Sequence, residues 1–145
     1  MEAAYSRKKE KKFLKTFDLS NYEIMTDEGY KDLKSLHKTI EYKVWNIKLS
    51  NGYELNCADD HILFDENMQE VFVKDLDTGD RIKTDDGIQI LTHIEKTDKS
   101  ENMYDFELVE GSNKRYYTNG ILSHNTELAK QLSKYMFDSE DSLIR

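Results

Sequence analysis

The sequence predicts an all-β domain, and two observations carry that prediction. Short runs rich in aromatic and β-branched residues recur through the middle of the chain, and clusters of Asn, Asp and Gly separate them. Many short strands at such spacing belong to all-β architectures. Residues 42–49 (YKVWNIKL) open the clearest pair of strands. Asn51-Gly52 follows, then residues 53–57 (YELNC). Asn-Gly between two such runs is the strongest short hairpin signal, because both central residues of a type I′ turn need positive φ. Further strands are expected at residues 61–64, 71–73, 81–83, 88–94, 104–109 and 116–122. Turn signals stand at Asp65-Glu66-Asn67, Thr78-Gly79-Asp80, Asp85-Asp86-Gly87, Gly111-Ser112-Asn113 and Asn119-Gly120.

The two ends read differently. Residues 2–16 favour helix by composition, with a thin apolar stripe of Tyr5, Phe13 and Leu14. A lone helix of that length is marginal in water. In the tail, Leu128, Leu132, Tyr135 and Met136 recur at helical spacing, with Glu127 in the first turn. A single helix cannot form a core of its own, so the tail reads as a piece of another protein.

Charge divides the chain in the same way. The 145 residues hold 21 Lys+Arg against 29 Asp+Glu, a net charge of -8. Residues 1–17 form a basic arm with six basic and two acidic side chains. Residues 18–125 are the body, with 12 basic and 23 acidic, and residues 126–145 carry three and four. The length fits one domain. The acidic balance argues against nucleic-acid binding, which usually shows a basic domain. The single cysteine, Cys57, rules out a disulfide within the chain. No apolar run approaches the roughly 20 residues that span a bilayer, and no signal peptide is visible, so a cytoplasmic setting without membrane contact is expected.

The sequence NGILSHNT joins body to tail. The side-chain amide of Asn125 can attack its own backbone carbonyl, close a succinimide and break the bond to Thr126. His124 can protonate the leaving nitrogen, and the Thr126 hydroxyl is a usable nucleophile. A bare His-Asn-Thr is common, so the surroundings matter.

Those surroundings resemble the splicing blocks of inteins. YYTNGILSHN is similar to the C-terminal splicing motif, and MYDFELVE (residues 103–110) resembles its first half, where Tyr-Asp opens a strand. NGYELNCADDHILF resembles the internal block that carries the family's histidine. YEIMTDEGYKDLKSLHKT looks like the strand-turn-strand segment near the start of inteins. The resemblance implies a Hint fold, horseshoe-like and all-β. By that resemblance His61 is the block histidine that strains the N-terminal scissile amide. Asp105 coordinates acyl transfer between the junctions, His124 is the penultimate histidine, Asn125 cyclises and Thr126 accepts the acyl group. The sequence departs from the family at two places. Ala58 stands where a Thr usually precedes the histidine, with Asp60 a candidate to make up the contact. Asn113-Lys114-Arg115 stands where many inteins carry another His, so Lys114 or Arg115 is the candidate stand-in.

Metal and cofactor are not expected. Cys57, His61, His37 and His93 lack a closed zinc pattern, and Cys57 reads as a buried strand residue. Trp45 and the tyrosines read as core or strand-face residues. Neither Ser6 nor Ser20 opens a Leu-x-x-Asp-Thr block, and Cys57 lies mid-strand. The resemblance therefore implies the C-terminal fragment of an atypically split intein, incomplete without a short N-terminal partner that carries the first nucleophile. The basic arm would then draw in an acidic end of that partner, an effect that salt screens.

TELAKQLSKYMFDSEDSLIR closely resembles the segment after the Walker lysine in ClpB-type chaperones. In that family's Gly-x-x-x-x-Gly-Lys-Thr loop the threonine binds magnesium, which is the position Thr126 would take. Residues 126–145 are thus expected to be an extein segment. Splicing would restore the phosphate loop, so the chain acts once on itself and turns over no substrate. An ATPase fragment by itself is excluded, since no loop glycines precede Thr126. A catalytically inert β-rich binding module built on the same fold stays open.

Overall fold

The computed structural model describes residues 13–124, which form ten strands and one short 3₁₀ turn. They run β1 (Phe13–Asp18), β2 (Glu23–Thr26), β3 (Gly29–Leu49), β4 (Glu54–Cys57), β5 (Ile62–Phe64), β6 (Glu70–Phe72), the 3₁₀ turn (Val73–Asp75), β7 (Arg81–Thr84), β8 (Gly87–Leu108), β9 (Arg115–Thr118) and β10 (Ile121–His124). The all-β expectation holds across these residues.

The frame is a pair of very long strands. β3 has 21 residues and β8 has 22, and they pair antiparallel along most of their length. At about 3.3 Å per residue each would reach about 70 Å if straight, too long for one domain of this size. Register shifts between Leu33/Ser35, Lys38/Glu41, Lys43/Trp45 and Lys48/Leu49 relieve the conflict. A bulge bends its strand and increases the local twist, so the pair curls. One end of β3 then carries β1 and β2 while the other carries β4. The runs expected separately at residues 88–94 and 104–109 are one strand, β8. Residues 42–49 are only the last part of β3.

β10 fills the curl. It pairs with β9, β5 and β7. Side chains alternate faces along a strand, so its consecutive apolar residues reach separate cores. Leu122 joins Ile24, Leu33, Leu36, Phe106 and Tyr116. Ile121 joins Ile47, Leu55, Leu63, Ile82 and Leu91. Cys57 is fully buried in that second core. A third, small cluster holds Val44, Ala58 and Met103.

Three local expectations are corrected. Of the helix expected over residues 2–16, the described part is strand, because Phe13–Asp18 pairs with β3 as β1. Tertiary contact overrides propensity there: the Phe13 ring stacks on His37 at 4.2 Å, and Thr16 Oγ1 lies 2.8 Å from His37 Nδ1. The strand expected over residues 116–122 is two strands joined by a turn. The hairpin at Asn51-Gly52 is not type I′. Only Gly52 takes positive φ (94°), the Gly52 N–H donates to Leu49 O at 3.0 Å, and the Asn51 side chain accepts from the Tyr53 N–H at 3.1 Å. The positive-φ pair falls instead at Asn119 (φ 50°) and Gly120 (φ 85°), in the two-residue connection between Thr118 and Ile121. The helix expected in the tail, the rest of the arm, Asn125 and Thr126 lie outside the described residues.

The Asn119-Gly120 turn sets the register of β10 and leaves no room for a side chain. A Cβ on Gly120 would overlap the Tyr53 ring, whose hydroxyl donates to Asp85. Gly120→Ala is expected to destabilise by about 2–4 kcal/mol, from positive φ on an L-residue and displacement of that ring. A lower urea midpoint at unchanged slope measures it.

Candidate splicing site

His61 stands just before β5, where a tight turn places it. Its N–H donates to Ala58 O at 3.3 Å, and its carbonyl accepts from the Val73 N–H at 2.9 Å. The side chain is fully buried, and its Nε2 lies 3.1 Å from Ser123 Oγ, which is also fully buried. The Ser123 hydroxyl in turn donates to Ile121 O at 3.3 Å. Leu63, two residues after His61, pairs with Ser123. A buried hydroxyl left unpaired costs about 1–3 kcal/mol, so the imidazole accounts for a serine at this otherwise apolar position.

His124 ends β10, one residue further on and on the opposite face. It is in register with Arg115 of β9. Its Nε2 lies 3.8 Å from Glu70 Oε2 on the edge strand β6. Of the two cations expected near this end, Arg115 is the one beside His124. Its guanidinium is tied to Asp27 Oδ2 through Nε at 3.0 Å and Nη2 at 2.8 Å. Asp27 Oδ1 also accepts from Asn113 Nδ2 at 3.0 Å. Lys114, at φ 65°, pairs with Glu110 at 3.7 Å. Asp27, which sequence reasoning did not single out, therefore fixes the strand that faces His124.

Asp105 approaches from another direction. It lies buried on β8, registered against His37 of β3, while His61 precedes β5 and His124 ends β10. His37 donates through Nε2 to Glu107 Oε1 at 2.9 Å, beside Ser35 Oγ and Lys34. That hydrogen bond, with help from Ser35 and Lys34 and against burial, holds the Glu107 carboxyl below its ordinary range.

The departures from the family pattern also have places. Ala58 is buried against Val44 and Met103, where a hydroxyl would find apolar neighbours. Asp60 lies close enough to Tyr42 to push its hydroxyl pKa up, second to burial. A hydroxyl does reach His61, and it comes from Ser123. The available signal was parity: Ser123 shares a strand face with the core residue Ile121, and a polar residue on an inward face needs a partner. Among the described residues no group of three or more His, Cys, Asp or Glu is arranged to hold a metal ion. Among them, too, no helix is long and apolar enough to cross a membrane.

No protein-family model matches the chain, and no curated protein sequence is significantly similar to it. Solved structures are. The VidaL intein superposes with a TM-score of 0.65 at 30% sequence identity, over 75% of this chain and 71% of that one. The chain belongs to the intein family. Two further inteins share the fold. The Ssp DnaB mini-intein gives a TM-score of 0.67 at 15% identity, over 79% of this chain and 81% of that one. A consensus engineered intein with an atypical split site gives 0.60 at 22%, over 75% and 86%. The curled sheet described above is thus the Hint fold. In this intein β10 is the central strand onto which the His61 turn and the Arg115 strand close.

Proposed function

We propose that this intein splices in trans, as the long C-terminal partner of a short N-terminal fragment. The observation that carries the reading is that β10, which meets the buried His61 through Ser123, ends on His124, one residue before Asn125 in the chain. The short fragment supplies the first nucleophile, a Cys thiol or Ser hydroxyl, which attacks the carbonyl before it. His61 favours that attack by distorting the scissile amide. The acyl group passes to the Thr126 hydroxyl, with Asp105 coordinating the transfer. The Asn125 side-chain nitrogen then attacks its own carbonyl, and the bond to Thr126 breaks. His124 protonates the departing amine, and Arg115 adds positive charge beside it. The freed amine takes the acyl group from the ester oxygen, leaving an ordinary peptide bond. Inteins perform protein splicing as a family, and a neighbouring structure has an atypical split site; both support this reading.

The tail resembles a ClpB-type ATPase, so the joined product would regain a Lys-Thr phosphate loop. The basic arm at residues 1–17 would speed encounter with an acidic partner segment. Its inner end lies in β1, a strand of the sheet.

The test pairs the chain with a reporter-tagged N-fragment that follows Gly-Lys and opens on Cys. Mass spectrometry should find the reporter joined to residues 126–145, and residues 1–125 released with a C-terminal succinimide. A chain that neither cleaves nor ligates with its cognate fragment is an inert module of the same fold.

A further inference from the structure

Ser123 ties β10 to the His61 turn through one hydrogen bond. Its hydroxyl has a single hydrogen and two polar neighbours, His61 Nε2 at 3.1 Å and Ile121 O at 3.3 Å. A carbonyl oxygen can only accept, so the arrangement that satisfies both contacts sends the hydroxyl hydrogen to Ile121 O. The oxygen lone pair then faces His61, and Nε2 must carry a proton. In a neutral imidazole one nitrogen donates and the other accepts. A proton on Nε2 leaves Nδ1 as the basic nitrogen. The opposite tautomer would need Ser123 to donate to Nε2 and would forfeit the Ile121 bond.

We propose that Ser123 is a positioning residue that holds His61 in the Nε2–H tautomer. This rests on the splicing reading above for its consequence, though not for its geometry. The position of Ser123 gives the contact a further meaning. It stands two residues before Asn125 on the strand that leads into the C-terminal junction. The state of the histidine serving one junction is therefore set by the strand that carries the other. Both residues are fully buried, so water does not compete for the bond. The hydroxyl that Ala58 lacks is thus supplied from β10, 62 positions away from His61 in sequence.

The test begins with the intact chain alone, by ¹⁵N NMR of labelled histidines. His61 should show a protonated Nε2 and an unprotonated Nδ1. Ser123→Ala should lose that preference, and Ser123→Thr, which keeps the hydroxyl, should retain it. With the N-fragment added, thiol-induced cleavage at the N-terminal junction should slow about tenfold or more in Ser123→Ala, as expected when a catalytic imidazole is left in the wrong tautomer. Its pH profile should shift, and Ser123→Thr should restore both. A proton on Nδ1 in the unsubstituted chain overturns the proposal, and that spectrum decides it even if neither variant folds. So does a Ser123→Ala chain whose tautomer and pH profile are unchanged. A Ser123-dependent Nε2–H tautomer in a chain that ligates nothing would overturn the splicing reading and leave this assignment standing.

Discussion

Asn125→Ala is expected to abolish release of residues 126–145. Alanine has no side-chain nitrogen to attack the backbone carbonyl, so no succinimide can close and the bond to Thr126 survives. The effect is a complete loss of one product, because no other group in NGILSHNT can form the five-membered imide at that bond. Earlier steps do not need this nitrogen. With the N-fragment present, the variant should therefore accumulate the ester on Thr126, a branched species that hydroxylamine or mild base cleaves. Mass spectrometry before and after hydroxylamine checks both halves. Normal release of the tail from Asn125→Ala would mean that cleavage there is not Asn cyclisation.

His61→Ala should have the second largest effect, and at the other junction. Removing an acid-base group that acts in the transition state typically costs about 10²–10⁴ in rate. Thiol-induced cleavage at the N-terminal junction should fall by about that factor, while Asn125-dependent cleavage should fall much less. A stability cost accompanies it. His61 is fully buried, and its loss opens a cavity and takes away the donor to the buried Ser123 oxygen. A buried group left unsatisfied costs about 1–3 kcal/mol, so the urea midpoint must be measured beside the rate. A folded His61→Ala chain that cleaves at the N-terminal junction at the unsubstituted rate would remove His61 from the mechanism.

Much of the fold was legible because strand signals are local. The runs that became β4, β5, β7 and the end of β3 announced themselves by aromatic and β-branched content, with turn residues between them. Failures occurred where a distant partner decided the outcome. Residues 2–16 favour helix by composition, yet at their inner end β3 offers unpaired backbone to Phe13–Asp18 and His37 offers a ring to stack on. Asn51-Gly52 and Asn119-Gly120 are the same dipeptide, and sequence gives no reason to treat them differently. The second takes positive φ at both residues, and its Asn119 side chain donates to Glu54 O on β4 at 3.0 Å. The first is a wider connection, closed by a bond from the Leu49 N–H to Tyr53 O.

The candidate site divides along the same line. The sequence by itself supplied the proposal for the chemistry: by resemblance to inteins His61, Asp105, His124, Asn125 and Thr126 stand in splicing order, and the tail reads as foreign to the body. Those features depend on residue type and short spacing, which the chain fixes before it folds. Only the tertiary structure decided that β3 and β8 curl, that β10 lies between two cores, that Arg115 is tied to Asp27, and that Ser123 meets His61. Each of those outcomes joins residues far apart in sequence. They follow from burying both faces of one central strand at once, a requirement that no local segment can express.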